Sequence, residues 1–191
     1  MPLATPRGRL TLDAQRRVLL RDTFSRADNA SSLGNAETGQ PWLAVAGTWG
    51  TSNGTAYSST AGVALVVGNA GSANLQLVST NARPASNTGV VFRCAANGTG
   101  GYRVRADGTN LYLEEVFNAN NVGAQVAYSY GTGARVITVL AVGASIKVYV
   151  DGVLQLSYTE TTPQSGTYVG LYKNSAQTTG QYFENVQAVA A

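Results

Sequence analysis

The sequence predicts an all-β fold, antiparallel strands closed into a sandwich or barrel behind an irregular N-terminal arm. Three observations predict it. From about residue 20 onward, apolar and polar residues alternate in short runs, and helical periodicity is not sustained. Those runs are punctuated by Asn-Gly, Asp-Gly, Gly-Gly and Gly-Thr-Gly clusters in a chain holding 22 glycines among 191 residues. Charged residues make up 12% and hydrophobic ones 44%, enough apolar mass for the core of one domain and too little charge for a disordered chain.

The elements follow in order. Residues 1–19 form a basic arm. Residues 1–26 carry six arginines and two acids, a charge of +4, and the rest of the chain sums to −1. Pro2, Pro6 and Gly8 make its start irregular, and residues 11–20 either form a short helix or enter a first strand at Val18. No aromatic side chain interleaves with Arg7, Arg9, Arg16 and Arg17, which argues against nucleic acid. Two roles stay open on the residues alone: a solvated leader, or an arm that orders on a neighbouring protein. No signal-like apolar segment or membrane-spanning run is present.

Strands are expected over 42–50, 55–59, 62–67, 74–80, 88–96, 101–106, 110–117, 124–130, 134–142, 145–151, 153–159, 167–173 and 181–189. Residues 88–117 read as a three-stranded meander. Val90, Phe92 and Cys94 alternate with Val91 and Arg93, Tyr102 and Val104 with Arg103 and Arg105, and Leu111 and Leu113 with Tyr112 and Glu114. A turn at Asp107-Gly108 would set Val104 against Leu111 inside and Arg103 against Tyr112 outside, with Cys94 buried and inert. Farther on, a three-residue loop over Asp151–Val153 would pair Val150 with Leu154 and Val148 with Leu156.

The chemistry is constrained by what is missing. There is no histidine, which removes Ser-His-Asp and Cys-His catalysis and histidine metal sites. One cysteine removes intrachain disulfides and multi-cysteine metal sites. Glu114 and Glu115 are adjacent and point to opposite faces of a strand, and no acid-x-acid spacing occurs, so no carboxylate pair for glycoside cleavage is visible. No catalytic or metal-ligating residue is assigned, and the expectation is a non-enzyme. The candidate ligand-binding residues are the outward set Arg93, Arg103, Arg105, Tyr112 and Glu114. They could hold a sugar by hydrogen bonds and ring stacking, or form cross-strand ion pairs on a solvated face.

The opening segment, with Asp22, Phe24, Gly39, Trp42, Gly47 and Trp49, resembles the start of concanavalin A-like, laminin-G-type domains, in which Asp-x-Phe precedes Gly-x-x-Trp and Gly-x-Trp. The resemblance covers about residues 20–189. It implies a two-sheet antiparallel jelly-roll sandwich over 20–191, with one sheet concave and the first and last strands side by side, placing Phe24 near Phe183. It also implies binding of carbohydrate or protein. Some members carry a structural calcium, whose ligands are not identifiable here. The Glu-x-Asp-x-x-Glu strand of the catalytic glucanase branch is absent, so catalysis is not carried over. The chain is also similar to minor tail and capsid-associated proteins of phages infecting actinobacteria. That likeness implies a non-enzymatic virion protein, a minor tail or capsid decoration protein assembled in the host cytoplasm as a homo-oligomer. The basic arm would bind other virion proteins and the jelly roll would meet cell-surface carbohydrate. A carbohydrate-binding module of a bacterial protein is the alternative.

Overall fold

Alternation of apolar and polar residues builds fifteen strands in the computed structural model, which describes residues 16–82, 87–129, 131, 133–161, 164–175 and 182–191. Among them no helix occurs. The strands are β1 Val18–Asp22, β2 Leu43–Ala46, β3 Trp49–Ser52, β4 Thr55–Ser58, β5 Gly62–Asn69, β6 Leu75–Asn81, β7 Thr88–Cys94 and β8 Tyr102–Ala106. They continue as β9 Asn110–Glu115, β10 Asn118–Ala127, β11 Arg135–Val142, β12 Ser145–Val150, β13 Val153–Thr159, β14 Tyr168–Ser175 and β15 Phe183–Ala190.

They form two antiparallel sheets. One runs β13-β12-β11-β6-β15-β4-β3, with β1 also paired to β15; the other runs β10-β9-β8-β7-β14-β5-β2. This is the expected two-sheet jelly-roll sandwich. The single strand expected over 42–50 is two, because the chain changes layers between Ala46 and Trp49.

Period-two patterning decides which residues fill the interlayer space. Leu75 and Leu77 on β6, Ile137, Val139 and Ala141 on β11, and Ile146, Val148 and Val150 on β12 are buried from one sheet. Val90 and Phe92, Val104, Leu111 and Leu113, and Val169 and Leu171 meet them from the other. First and last strands lie side by side, Asp22 opposite Val186. Phe24 stacks on Trp42 at 6.1 Å, and Phe183 stacks on Trp49 at the same separation. Asp22, with no exposed surface, ties this corner: it accepts from Trp42 Nε1 at 2.7 Å, from the Phe24 amide at 2.8 Å and from Arg26.

The β12–β13 hairpin departs from expectation. Its turn has two residues, Asp151 (φ 50°) and Gly152 (φ 80°), so Val150 pairs with Val153. A bulge between Val148 and Tyr149 then restores the Val148–Leu156 pair. The bulge absorbs Gln155, which is how a two-residue turn avoids placing that polar side chain in the core. Leu154 ends up half-exposed opposite Tyr149.

Of the arm residues, Arg7 and Arg9 lie outside the described residues. Arg16 Nη1 donates to Gln76 Oε1 at 2.7 Å, and the Arg17 carbonyl accepts from the Ala190 amide at 2.9 Å.

Candidate functional site

The outer face of the seven-stranded sheet, turned away from the core, carries the candidate site. Strand register fixes its rows. One row runs Tyr112, Arg105, Gly89, Tyr172, Leu65 and Ala46 across β9, β8, β7, β14, β5 and β2. The next runs Glu114, Arg103, Val91, Gly170, Val67 and Leu43. The Asp107–Asn110 loop sets this register. It pairs Ala106 with Leu111, so Arg103 faces Glu114 and Arg105 faces Tyr112, two residues from the expected pairing but with the same side chains outward.

Four of the five predicted residues come together here. Glu114, 2% exposed, accepts from Arg103 Nε at 2.7 Å and from Arg105 Nε at 2.8 Å on one oxygen, and from Arg105 Nη2 at 2.7 Å on the other. Arg105 Nη1 donates to Asn87 Oδ1 at 2.9 Å. Each guanidinium lies over a ring: Arg105 over Tyr112 at 4.0 Å and Arg103 over Tyr172 at 4.6 Å. The Tyr172 stack crosses β7 at Gly89, where no side chain intervenes. Tyr112 Oη donates to Asp107 Oδ2 at 2.7 Å.

The electrostatics follow from these contacts. Burial works against the charge on Arg105, but hydrogen bonding to Glu114 and its charge outweigh that and raise the guanidinium pKa. Partial burial pushes Asp107 up, yet donation from Tyr112, Thr109 and Asn110 prevails and holds it at about 2. Burial pushes Tyr172 up.

Arg93 departs from the predicted set. It adopts φ 56° at the end of β7, beside the register shift that pairs Tyr168 with Cys94 and Gly170 with Val91. The shift reverses which side chain points inward. Arg93 turns to the sandwich edge and donates to Glu160 Oε1 at 2.7 Å, Ala73 O at 2.8 Å and Asn74 Oδ1 at 3.3 Å. It is 1% exposed, so it is a buried ion-pair partner rather than part of the ligand face. Cys94 takes the outer face instead, buried among Leu65, Val67, Val91, Val116 and Tyr172, where burial pushes its thiol to about 12. Loop 95–101 covers part of this apolar patch. Gly98 (φ 75°) approaches so closely that a Cβ would lie 2.6 Å from Leu65 Cδ2.

Sequence reasoning missed Tyr172, Asn87 and the site role of Asp107. In Tyr168-Val-Gly-Leu-Tyr172 the alternation marks the tyrosines as outward. Nothing local says that β14 neighbours β7. The eight-stranded sheet has its own outer depression of about 340 Å3, lined by Gln76, Thr138, Leu140, Tyr149 and Gly152, with Arg16 bonded at its rim. Among the described residues, no cluster of three or more acids or cysteines is placed to hold a metal ion.

No protein-family profile matches the sequence, and no curated protein matches it. Solved structures do match. The carbohydrate-binding module CBM66 from Bacillus subtilis superposes with a TM-score of 0.61 at 17% identity, over 85% of this chain and 94% of that one. The Crh5 transglycosylase in complex with NAG gives 0.60 at 12% identity, over 92% and 86%. The Bacillus licheniformis β-glucanase gives 0.51 at 15% identity, over 93% and 100%. The fold is therefore that of jelly-roll carbohydrate-binding modules and concanavalin A-like glycosidases. Identities this low carry the fold alone. The expected likeness to phage proteins draws no support from these comparisons.

Proposed function

We propose that this chain is a non-enzymatic carbohydrate-binding domain whose ligand lies on the outer face of the seven-stranded sheet, against Arg103, Arg105 and Tyr112, with the buried Glu114 positioning the two guanidinium groups. The observation that carries the reading is the pair of arginine–tyrosine stacks joined through one carboxylate. They set the partly exposed Tyr112 ring beside the Arg103 guanidinium, which spends only Nε on Glu114, so that a ring and uncommitted planar donors lie on adjacent strands, the mixture that sugar C–H faces and hydroxyl groups require. A binding module, glucanases and transglycosylases among the structural neighbours support it by analogy of fold.

The same geometry argues against glycoside cleavage. A general acid must hold its proton near the working pH, and Asp107 is held at about 2. Glu114 is committed to two guanidinium groups. The test is affinity electrophoresis through gels containing a panel of polysaccharides. Retardation lost in Tyr112→Ala and kept in Tyr149→Ala supports this face; the reverse moves the site to the eight-stranded sheet and overturns the proposal.

A further inference from the structure

Three arginines enter buried networks, and two of them use every nitrogen. Arg93 spends Nε, Nη1 and Nη2 on Ala73, Glu160 and Asn74. Arg105 spends its three on Glu114 and Asn87. Arg103 donates only through Nε, to Glu114. Its side chain is 8% exposed, and its two terminal nitrogens have no hydrogen bond among the described residues. They are nevertheless not sealed from solvent. Arg135 Nε is the one fully buried side-chain nitrogen or oxygen without a hydrogen bond among the described residues.

Charge is unbalanced at the same place. Glu114 supplies one negative charge to two guanidinium groups. Asp107 is taken up by Tyr112 and lies 4.0 Å from Arg105, on the far side from Arg103. An excess positive charge held in a largely desolvated site is costly unless an anion meets it, and the Tyr172 ring offsets that cost only in part. The two free nitrogens form the end-on fork of a planar guanidinium, which matches both oxygens of a carboxylate.

We infer that Arg103 reads a carboxylate on the ligand, so that the domain selects acidic saccharides, those bearing uronic or sialic acid residues, over neutral ones. This rests on the carbohydrate-binding reading above. Tyr172 is buried beneath the Arg103 guanidinium and holds the fork in place, while the partly exposed Tyr112 and Arg105 contact the next unit along the row.

The experiment measures binding to matched polymers at about 0.15 M salt: polygalacturonate against its methyl ester, hyaluronan and polysialic acid against their carboxyl-reduced forms, and dextran sulfate as a sulfate arm. The intact protein should bind at least one carboxylated polymer about tenfold or more tightly than its neutral partner, as loss of a charge-assisted contact implies. Arg103→Gln should erase that preference, and Arg103→Lys should recover it only in part because an ammonium lacks the fork. Arg135→Gln, on the other sheet, should leave it intact. Equal binding of acidic and neutral partners, still dependent on Tyr112, would overturn the acidic specificity and leave the carbohydrate reading standing. Dextran sulfate bound as tightly as the carboxylated polymers, whatever residue stands at 103, would mean charge attraction alone and overturn the inference. Binding to none of the polymers by a normally folded protein overturns both.

Discussion

Breaking the Arg93–Glu160 pair should be among the most damaging single changes in this domain. The two side chains are 1% and 0% exposed, their charged atoms are 2.7 Å apart, and Glu160 also accepts from the Gln164 amide. Arg93→Met would strand a carboxylate in the sandwich edge beside Tyr102, whose hydroxyl is already pushed to about 12 by burial and by Glu160. It would also strip donors from Ala73 and Asn74. Removing one partner of a buried pair costs ~3–5 kcal/mol. That is a large share of the ~5–15 kcal/mol that holds a domain folded. At ~2–4 °C per kcal/mol for a chain of this size, the midpoint should fall by ~6–20 °C. Glu160→Gln should lose a similar amount by stranding the guanidinium. The double variant Arg93→Met/Glu160→Gln should recover much of the loss, because no uncompensated charge remains, giving a coupling of ~2–3 kcal/mol. Urea unfolding of all four proteins, followed by tryptophan fluorescence, measures the cycle. Single losses below ~1 kcal/mol that simply add would refute the reasoning, since that is how a solvated surface pair behaves.

Two further outcomes are expected. Cys94, with its thiol raised to about 12 by burial, should not react with Ellman's reagent at pH 8 in the native protein and should react fully in denaturant; prompt native labelling would place it in a solvated site. Asp107 titrates at about 2 folded against an ordinary 3.8, so it adds stability above pH ~4 that fades as the pH falls toward ~2. The stability gap between the intact protein and Asp107→Asn should therefore close over that window in urea titrations, and a gap constant from pH 2 to 7 would contradict the assignment.

Alternation made much of this molecule readable from its residues. The outward placement of Arg103, Arg105, Tyr112 and Glu114 follows from the buried positions of Val104, Leu111 and Leu113, because a strand alternates faces whatever its partner. Parity survives a two-residue error in register, which is why those four were found although their pairing was displaced. It does not survive a bulge. At Arg93 the backbone takes a positive φ on a residue type that gives no such signal, and inward and outward exchange beyond it. The bulge opposite Tyr149 acts in the other direction, reconciling a two-residue turn with a buried Leu156. Contacts distant in sequence were illegible for a different reason. Glu160 meets Arg93 across 67 positions, and Tyr172 meets Arg103 because β14 inserts beside β7, a fact of topology that no local pattern encodes.

The most direct measurement is a 1H–15N NMR titration of the intact protein with oligosaccharides cut from whichever polysaccharide it binds. The account predicts that the amides of Arg103–Arg105, Asn110–Glu114 and Tyr172, together with the Arg103 and Arg105 side-chain Nε–H signals, shift along a single saturable isotherm. Shifts confined to Gln76, Thr138, Leu140 and Tyr149, with β8 and β9 unmoved, would place the ligand on the opposite sheet and contradict it.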